Sequence, residues 1–194
     1  SPLKWGAQDM SQYLQGAYTG EISAQMLQDF SCEYVIVGHS ERRELFAEDN
    51  GVVAAKFAQA IQSNITPILC VGESLQQREA GTAEAVIAEQ IQAVLNVVGI
   101  QNFANSVIAY EPVWAIGTGK TASPQQAQEM HAAIRKQLAK EDKNIAANMQ
   151  ILYGGSVKPG NAADIFANPD VDGALVGGAS LNANDFIQIC KAAS

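Results

Sequence analysis

Two residues in this 194-residue sequence have the type and position for proton transfer, Glu111 and His39. Glu111 stands just past the β-rich run Val107–Tyr110 and before Pro112. A carboxylate at a strand tip can act as a general base where it reaches the substrate. His39 directly follows the run Tyr34–Gly38, and Ser40-Glu41-Arg42-Arg43 after it is set to open a helical turn. The positive end of such a turn favours a neutral imidazole, which can donate a hydrogen bond to a carbonyl oxygen. Each residue also has a plainer reading, as a solvated loop glutamate and as a satisfied buried histidine. The second histidine, His131, falls mid-helix among surface-type residues and reads as structural.

Two glycine turns offer a different chemistry. Gly154-Gly155-Ser156 and Gly177-Gly178-Ala179-Ser180 are consecutive, each following a β-type run and preceding a short helix. Without a Cβ in the way, backbone N–H groups can close on a phosphate. Two such turns in succession match the phosphate site built by the last two βα loops of a (β/α)-barrel, whereas one double glycine alone is a tight turn. Residues 112–120 mix apolar side chains with glycines, the pattern of a lid that buries Trp114 and Ile116 on closing. Gly119-Lys120-Thr121 copies the tail of a P-loop, but the full pattern needs glycine at 114, where Trp stands. The next helix also opens too late, near Ser123–Pro124, to hold phosphate beside Lys120. No GxSxG elbow, HExxH pair or dinucleotide fingerprint occurs.

The elements that carry these residues alternate regularly. Strands are predicted at 34–38, 67–71, 107–110, 150–153 and 174–176, with a weaker one at Leu3–Trp5. Their runs are continuously apolar, as in parallel strands buried on both faces. Helices are predicted at 51–63, 83–98 and 124–140, with shorter ones at 22–30, 159–167 and 181–192. Ser123 caps the 124–140 helix, with Pro124 at its first position and Gln126 completing a capping box. Strand then helix, six times, makes an α/β chain with right-handed crossovers. The five clear strands end on Gly38-His39-Ser40-Glu41, Gly72-Glu73, Glu111-Pro112, Gly154-Gly155-Ser156 and Gly177-Gly178-Ala179-Ser180. Sites of parallel α/β folds lie at those carboxyl ends.

Composition narrows the classes. Twelve Lys and Arg against 20 Asp and Glu leave a net charge of −8, with no basic run. That argues against nucleic-acid and anionic-membrane partners. Cys32, Cys70 and Cys190 are odd in number and widely spaced, which fits reduced thiols in the cytoplasm better than a zinc site or a disulfide framework. No apolar stretch is expected to approach the ~20 residues of a membrane span, and Ser1–Gly6 has no signal-peptide core.

Taken together, these motifs resemble the triosephosphate isomerase family. Tyr110-Glu111-Pro112-Val113-Trp114-Ala115-Ile116-Gly117-Thr118-Gly119-Lys120 is similar to the family's catalytic glutamate and lid, and Gly38-His39-Ser40-Glu41-Arg42-Arg43 to its catalytic-histidine segment. Tyr153–Val157 and Val176–Leu181 are similar to its phosphate turns, and Gly6-Ala7-Gln8 with Gly16–Glu21 to its third strand end and dimer loop. The resemblance implies a TIM (β/α)8-barrel that interconverts dihydroxyacetone phosphate and glyceraldehyde 3-phosphate, in glycolysis and gluconeogenesis, without cofactor or metal. It implies Glu111 as the base, His39 as the group that polarises the carbonyl, and Glu41 close behind the site. Gly117, Ser156, Gly177 and Gly178 would hold the phosphate through their backbones. The loop around Thr19 and Glu21 would enter a neighbouring subunit of a homodimer, with Arg42 as a partner for Glu21.

The sequence also departs from that pattern. A complete barrel has eight βα units and about 250 residues, and the match here begins at the third strand. The expectation is a single (β/α)-barrel domain over 1–194 with six visible units, N-terminally incomplete. No residue matches the family's first-strand Asn-x-Lys, since Lys4 lies on the wrong strand and Lys120 belongs to the lid. The second reading is therefore a truncated, catalytically impaired barrel fragment that only binds phosphate ligands or assembles with a complementary piece. A different phosphosugar barrel enzyme is a third.

Overall fold

Six parallel strands follow one another across a single sheet in chain order. They are β1 (Gly6–Ala7), β2 (Tyr34–Val37), β3 (Thr66–Glu73), β4 (Val107–Pro112), β5 (Gln150–Tyr153) and β6 (Gly173–Ala174). The structure, a computed structural model, describes residues 3–116 and 121–193. Gly6 pairs with Tyr34, Tyr34–Val37 run beside Thr66–Leu69, and Leu152-Tyr153 run beside Gly173-Ala174. Parallel neighbours need a crossover, and helices supply it. These are α1 (Ala24–Asp29), α2 (Ser40–Leu45), α3 (Asn50–Gln62), α4 (Leu75–Glu79), α5 (Ala83–Phe103), α6 (Pro124–Glu141), α7 (Lys143–Asn148), α8 (Pro159–Phe166) and α9 (Ala183–Ala192). The α/β class predicted from the strand–helix alternation is the one observed.

The backbone divides into two compact units. One comprises the chain up to Val71 with Glu89–Val107, and its core includes Val35, Val37, Phe57, Leu69, Ile91 and Phe103. Phe57 and Phe103 stack there with ring centroids 5.2 Å apart. The other comprises Gly72–Ala88 and the chain from Ile108, with a core that includes Ile108, Tyr110, Ile134, Leu138, Ile151 and Tyr153. Every residue of β4 is buried, which explains why Val107–Tyr110 are apolar without alternation.

The sequence expectation did not include α4 and α7, most predicted boundaries shift by one or two residues, and the first strand, the last strand and α5 differ in ways with a physical reason. The first strand is Gly6–Ala7 rather than Leu3–Trp5. Gly6 can come close to the Tyr34 carbonyl only because it lacks a Cβ, while Leu3 and Trp5 stay exposed and Trp5 Nε1 donates to the Phe30 carbonyl at 2.9 Å. The last strand is Gly173–Ala174, although Leu175 N still donates to the Tyr153 carbonyl at 3.0 Å. Helix α5 runs past the predicted end at 98, but Gly99, with φ 71°, breaks it at that point. By length and composition α5 is long and apolar enough to cross a membrane, which the sequence reading did not anticipate. The break leaves Ala83–Val98 as its continuous part, shorter than the ~20 residues of a span.

Helix α6 begins as predicted. The Ser123 side chain accepts from Gln126 N at 3.1 Å, and Gln126 Oε1 accepts from Ser123 N at 2.9 Å, with Pro124 at the first position. This reciprocal pair satisfies two N–H groups that a helix start otherwise leaves open. Ser123→Ala is expected to lower the unfolding free energy by about 1 kcal/mol. In a urea titration the midpoint should fall with the slope unchanged.

Candidate active site

His39 closes β2 and caps α2. Its Nδ1 accepts the Glu41 backbone N–H at 3.3 Å, so the ring proton of the neutral form sits on Nε2. The Glu41 carboxylate lies 4.0 Å from the same Nδ1 and is largely exposed. The turn before His39 requires glycine. Gly38 has φ 73°, and a Cβ there would stand 2.7 Å from Val53 Cγ1. Arg43 fastens the same turn, donating from Nε to the Gly38 carbonyl at 2.9 Å and from Nη1 to Asn50 Oδ1 at 2.8 Å. Arg42 has company inside its own chain. Its Nε lies 2.8 Å from Asp9 Oδ2 and 2.6 Å from Glu48 Oε1, and buried Lys56 binds both carboxylates. Only pairing of this kind makes a buried ammonium tolerable.

Glu111 is the penultimate residue of β4 and is 2% exposed. Two glycines border it. A Cβ on Gly72 of β3 would collide with the Glu111 carbonyl oxygen, and one on Gly154 would lie 2.9 Å from Glu111 Cγ. The strand ends therefore meet closely around this carboxylate, and Gly154 N donates to the Tyr110 carbonyl at 2.7 Å. The next residue of β3 is Glu73, fully buried. Its Oε1 accepts from Tyr110 Oη at 3.1 Å, from Trp114 Nε1 at 2.8 Å and from Arg78 Nη1 at 3.1 Å. Arg78 also lies over the Trp114 ring, 4.9 Å from its centroid. Burial, with the Glu73 charge beside it, raises the Tyr110 pKa well above its ordinary value, so Tyr110 stays a donor. Trp114 is half-buried and held by its hydrogen bond to Glu73. Sequence reasoning saw Glu73 only as a strand-end residue.

The first glycine turn directly follows β5 as expected, whereas Gly177 lies three residues past the end of β6 and Gly178–Leu181 form a 3-10 helix. After β5, Ser156 Oγ donates to the Ala115 carbonyl at 3.0 Å, and Asn161 Nδ2 donates to the Ser156 carbonyl at 3.1 Å. Gly177 and Gly178 are exposed, and a Cβ on either would meet nothing within 4 Å. The Gly177 carbonyl accepts from Ser180 N at 2.8 Å and Ser180 Oγ at 2.7 Å, which fixes the turn. Gly117, with Thr118, Gly119 and Lys120 of the expected lid, lies outside the described residues. Among the described residues no three His, Cys, Asp or Glu side chains gather as a metal-ligand set.

His131 departs from the sequence expectation. It is structural, but it is fully buried rather than among surface residues. Its Nδ1 lies 3.1 Å from the Asp170 carbonyl, and its ring stands edge-on to Tyr110 at 5.8 Å, and at 6.4 Å from Tyr153. A carbonyl can only accept, so Nδ1 carries the proton. A charged ring would put a second N–H on Nε2, which has no partner among the described residues. Burial accordingly pushes the His131 pKa down to about 4, with the Asp170 carbonyl partly opposing it. Nothing in the sequence joins residue 131 to residue 170.

The family model described as triosephosphate isomerase matches residues 1–193. Curated relatives named triosephosphate isomerase include one from Nitrosomonas eutropha, 61% identical over 191 residues, covering 98% of this chain and 76% of the relative. Another, from Thiobacillus denitrificans, is 59% identical over 194 residues, 100% of this chain and 78% of the relative. A third, from Nitrosomonas europaea, is 62% identical over 193 residues, 100% of this chain and 77% of the relative.

The buried His131 has a consequence for stability. Its folded pKa of about 4 lies below the unfolded value of 6.5. Between those values the unfolded chain binds a proton that the fold refuses. The stability tied to the neutral ring is therefore complete above pH 6.5 and lost as pH falls towards 4, a change on the order of 3 kcal/mol. The gap in unfolding free energy between the wild type and His131→Asn should narrow by about that amount from pH 7 to pH 4. A gap that stays constant would show that the folded ring titrates normally.

Proposed function

This chain belongs to the triosephosphate isomerase family, and on that premise we propose how its residues interconvert dihydroxyacetone phosphate and glyceraldehyde 3-phosphate. The chemistry is a proton transfer next to a carbonyl. Glu111 removes the proton from the carbon beside the substrate carbonyl and returns it to the neighbouring carbon. His39 donates its Nε2–H to the carbonyl oxygen and carries protons between the two oxygens of the enediolate. The neutral ring suits that task, because a donor whose basicity is close to that of the enediol shares the proton readily with the developing oxyanion. Glu41 holds His39 through its backbone N–H. Backbone N–H groups of Gly117, Ser156, Gly177 and Gly178 receive the phosphate dianion, so the chemistry needs neither cofactor nor metal.

The observation that carries these assignments is the seat of Glu111. A carboxylate 2% exposed at the end of β4, bordered by Gly72 and Gly154, is held more tightly than any solvated loop glutamate. The exposed Gly177-Gly178 turn has the open backbone that an anion needs. Substrate binding without turnover is the less favoured alternative, because the relatives named for the isomerase match nearly the whole chain.

The same family premise makes the protein a homodimer through the loop around Thr19 and Glu21. Both residues are exposed. The loop is shaped by stacking of Tyr13 on Tyr18 at 3.9 Å and closed by Ser11 N donating to the Ile22 carbonyl at 2.8 Å. We assign residues 1–194 to one (β/α)-barrel domain and the protein to the cytoplasm, where its three free cysteines would stay reduced.

Shortening the base tests the assignment. Glu111→Asp withdraws the carboxylate by one methylene, and misplacement on that scale costs ~10²-fold or more in turnover. The variant is expected to show that loss with an unchanged far-UV circular dichroism spectrum. Turnover equal to the wild type would remove Glu111 from the role of base.

A further inference from the structure

Three residues on one face of α6 converge on Asp170. Gln128, His131 and Arg135, spaced three and four apart, lie on the same side of the helix and all engage Asp170. Gln128 Nε2 donates to Asp170 Oδ2 at 2.6 Å, and Asp170 N donates to Gln128 Oε1 at 3.1 Å. Arg135 Nε donates to Asp170 Oδ1 at 2.7 Å and its Nη2 to the Asp170 carbonyl at 3.3 Å. His131 Nδ1 meets that carbonyl at 3.1 Å. The Asp170 carboxylate, N–H and carbonyl are all engaged. Arg135 Nη2 also reaches Asp172 Oδ2 at 2.9 Å, and the same oxygen accepts from Ile151 N of β5 at 2.8 Å.

The middle member of this set is costly. An imidazole whose Nε2 has no hydrogen-bond partner among the described residues is an expensive way to fill a core position that an apolar side chain could occupy. Its neighbours suggest what it contributes. The ring stands at 87° to Tyr110 and at 35° to Tyr153. Tyr110 immediately precedes Glu111, and Tyr153 immediately precedes Gly154-Gly155-Ser156. A phenyl group could fill the space, but it would lack the N–H that fixes the ring plane on a carbonyl. The Tyr110 hydroxyl is tethered by Glu73, which also holds Trp114.

We propose that His131 is a positioning residue for the reaction: anchored on Asp170, its ring braces Tyr110 and Tyr153 and so holds Glu111 in register with the Gly154-Gly155-Ser156 turn. This rests on Glu111 being the base. The brace acts through two tyrosines, and His131 itself touches no substrate. A misplaced base weakens the transition state more than the ground-state complex, so the loss should fall on kcat rather than KM.

The test compares two variants of the full chain. His131→Asn keeps a donor for Asp170 and removes the ring; His131→Phe keeps a ring and removes the donor. Each is checked for folding by circular dichroism and assayed with dihydroxyacetone phosphate. His131→Asn is expected to lose about 10-fold in kcat with KM within about two-fold of the wild type, and His131→Phe to recover part of that loss. A second readout is independent of turnover. In a Trp5→Phe background Trp114 is the sole tryptophan, and because it shares Glu73 with Tyr110, its emission should shift in His131→Asn. Wild-type kcat and wild-type emission in a folded His131→Asn would overturn the proposal. Lost kcat with unchanged emission would overturn it too, since the route through Tyr110 would be excluded. A wild type that turns over no triose phosphate would contradict the proposed function instead, and Trp114 emission alone would then decide the brace.

Discussion

The close approach of three strand ends around Glu111 is the constraint on which the site depends. Gly72 and Gly154 lack side chains where β3 and β5 come against this residue, and a methyl group at either would displace it. The space saved is filled by the glutamate itself, which is why its side chain can be nearly inaccessible and still end a strand. A carboxylate held this way has little freedom left to lose, and preorganisation of that kind is a main source of catalytic advantage.

Around this point the unit from Gly72 to Ala88 and beyond Ile108 solves a polar problem as well as a packing one. Glu73 brings a second carboxylate into the same neighbourhood with no solvent contact. Three donors converge on one of its oxygens, and one of them, Arg78, carries a charge. That set fastens Tyr110 and Trp114, which bracket Glu111 in sequence. The His131 ring stands edge-on to Tyr110. Tyr110 and Trp114 thus share Glu73 of β3, and each has a further neighbour, His131 of α6 for Tyr110 and Arg78 of α4 for Trp114.

Much of this was legible in the sequence where the signal was local. Continuous apolar runs marked β2 to β5, and Ser123-Pro124-Gln126 marked the start of α6 to the residue. Glycines and chemically active residues at strand ends marked the candidate site, because parallel sheets present those ends together. What stayed hidden depended on contacts between distant positions. Glu73 binds Tyr110 and Trp114, 37 and 41 residues away. Lys56 meets Asp9 across 47. His131 sat in a helix too polar to announce a buried position, and its partner Asp170 is 39 residues on. The two-residue strand β1 was misplaced because two residues carry no period to read.

Exchange of carbon-bound hydrogen tests the central claim most directly, because it reports the proton transfer without depending on product release. Dihydroxyacetone phosphate incubated in D2O and followed by proton NMR should gain deuterium at the carbon beside its carbonyl when the wild-type chain is present. With Glu111→Gln, folded but unable to take a proton, incorporation should stay at the level of buffer alone. Incorporation by Glu111→Gln at the wild-type rate would contradict the account, since the proton would then be leaving through another group.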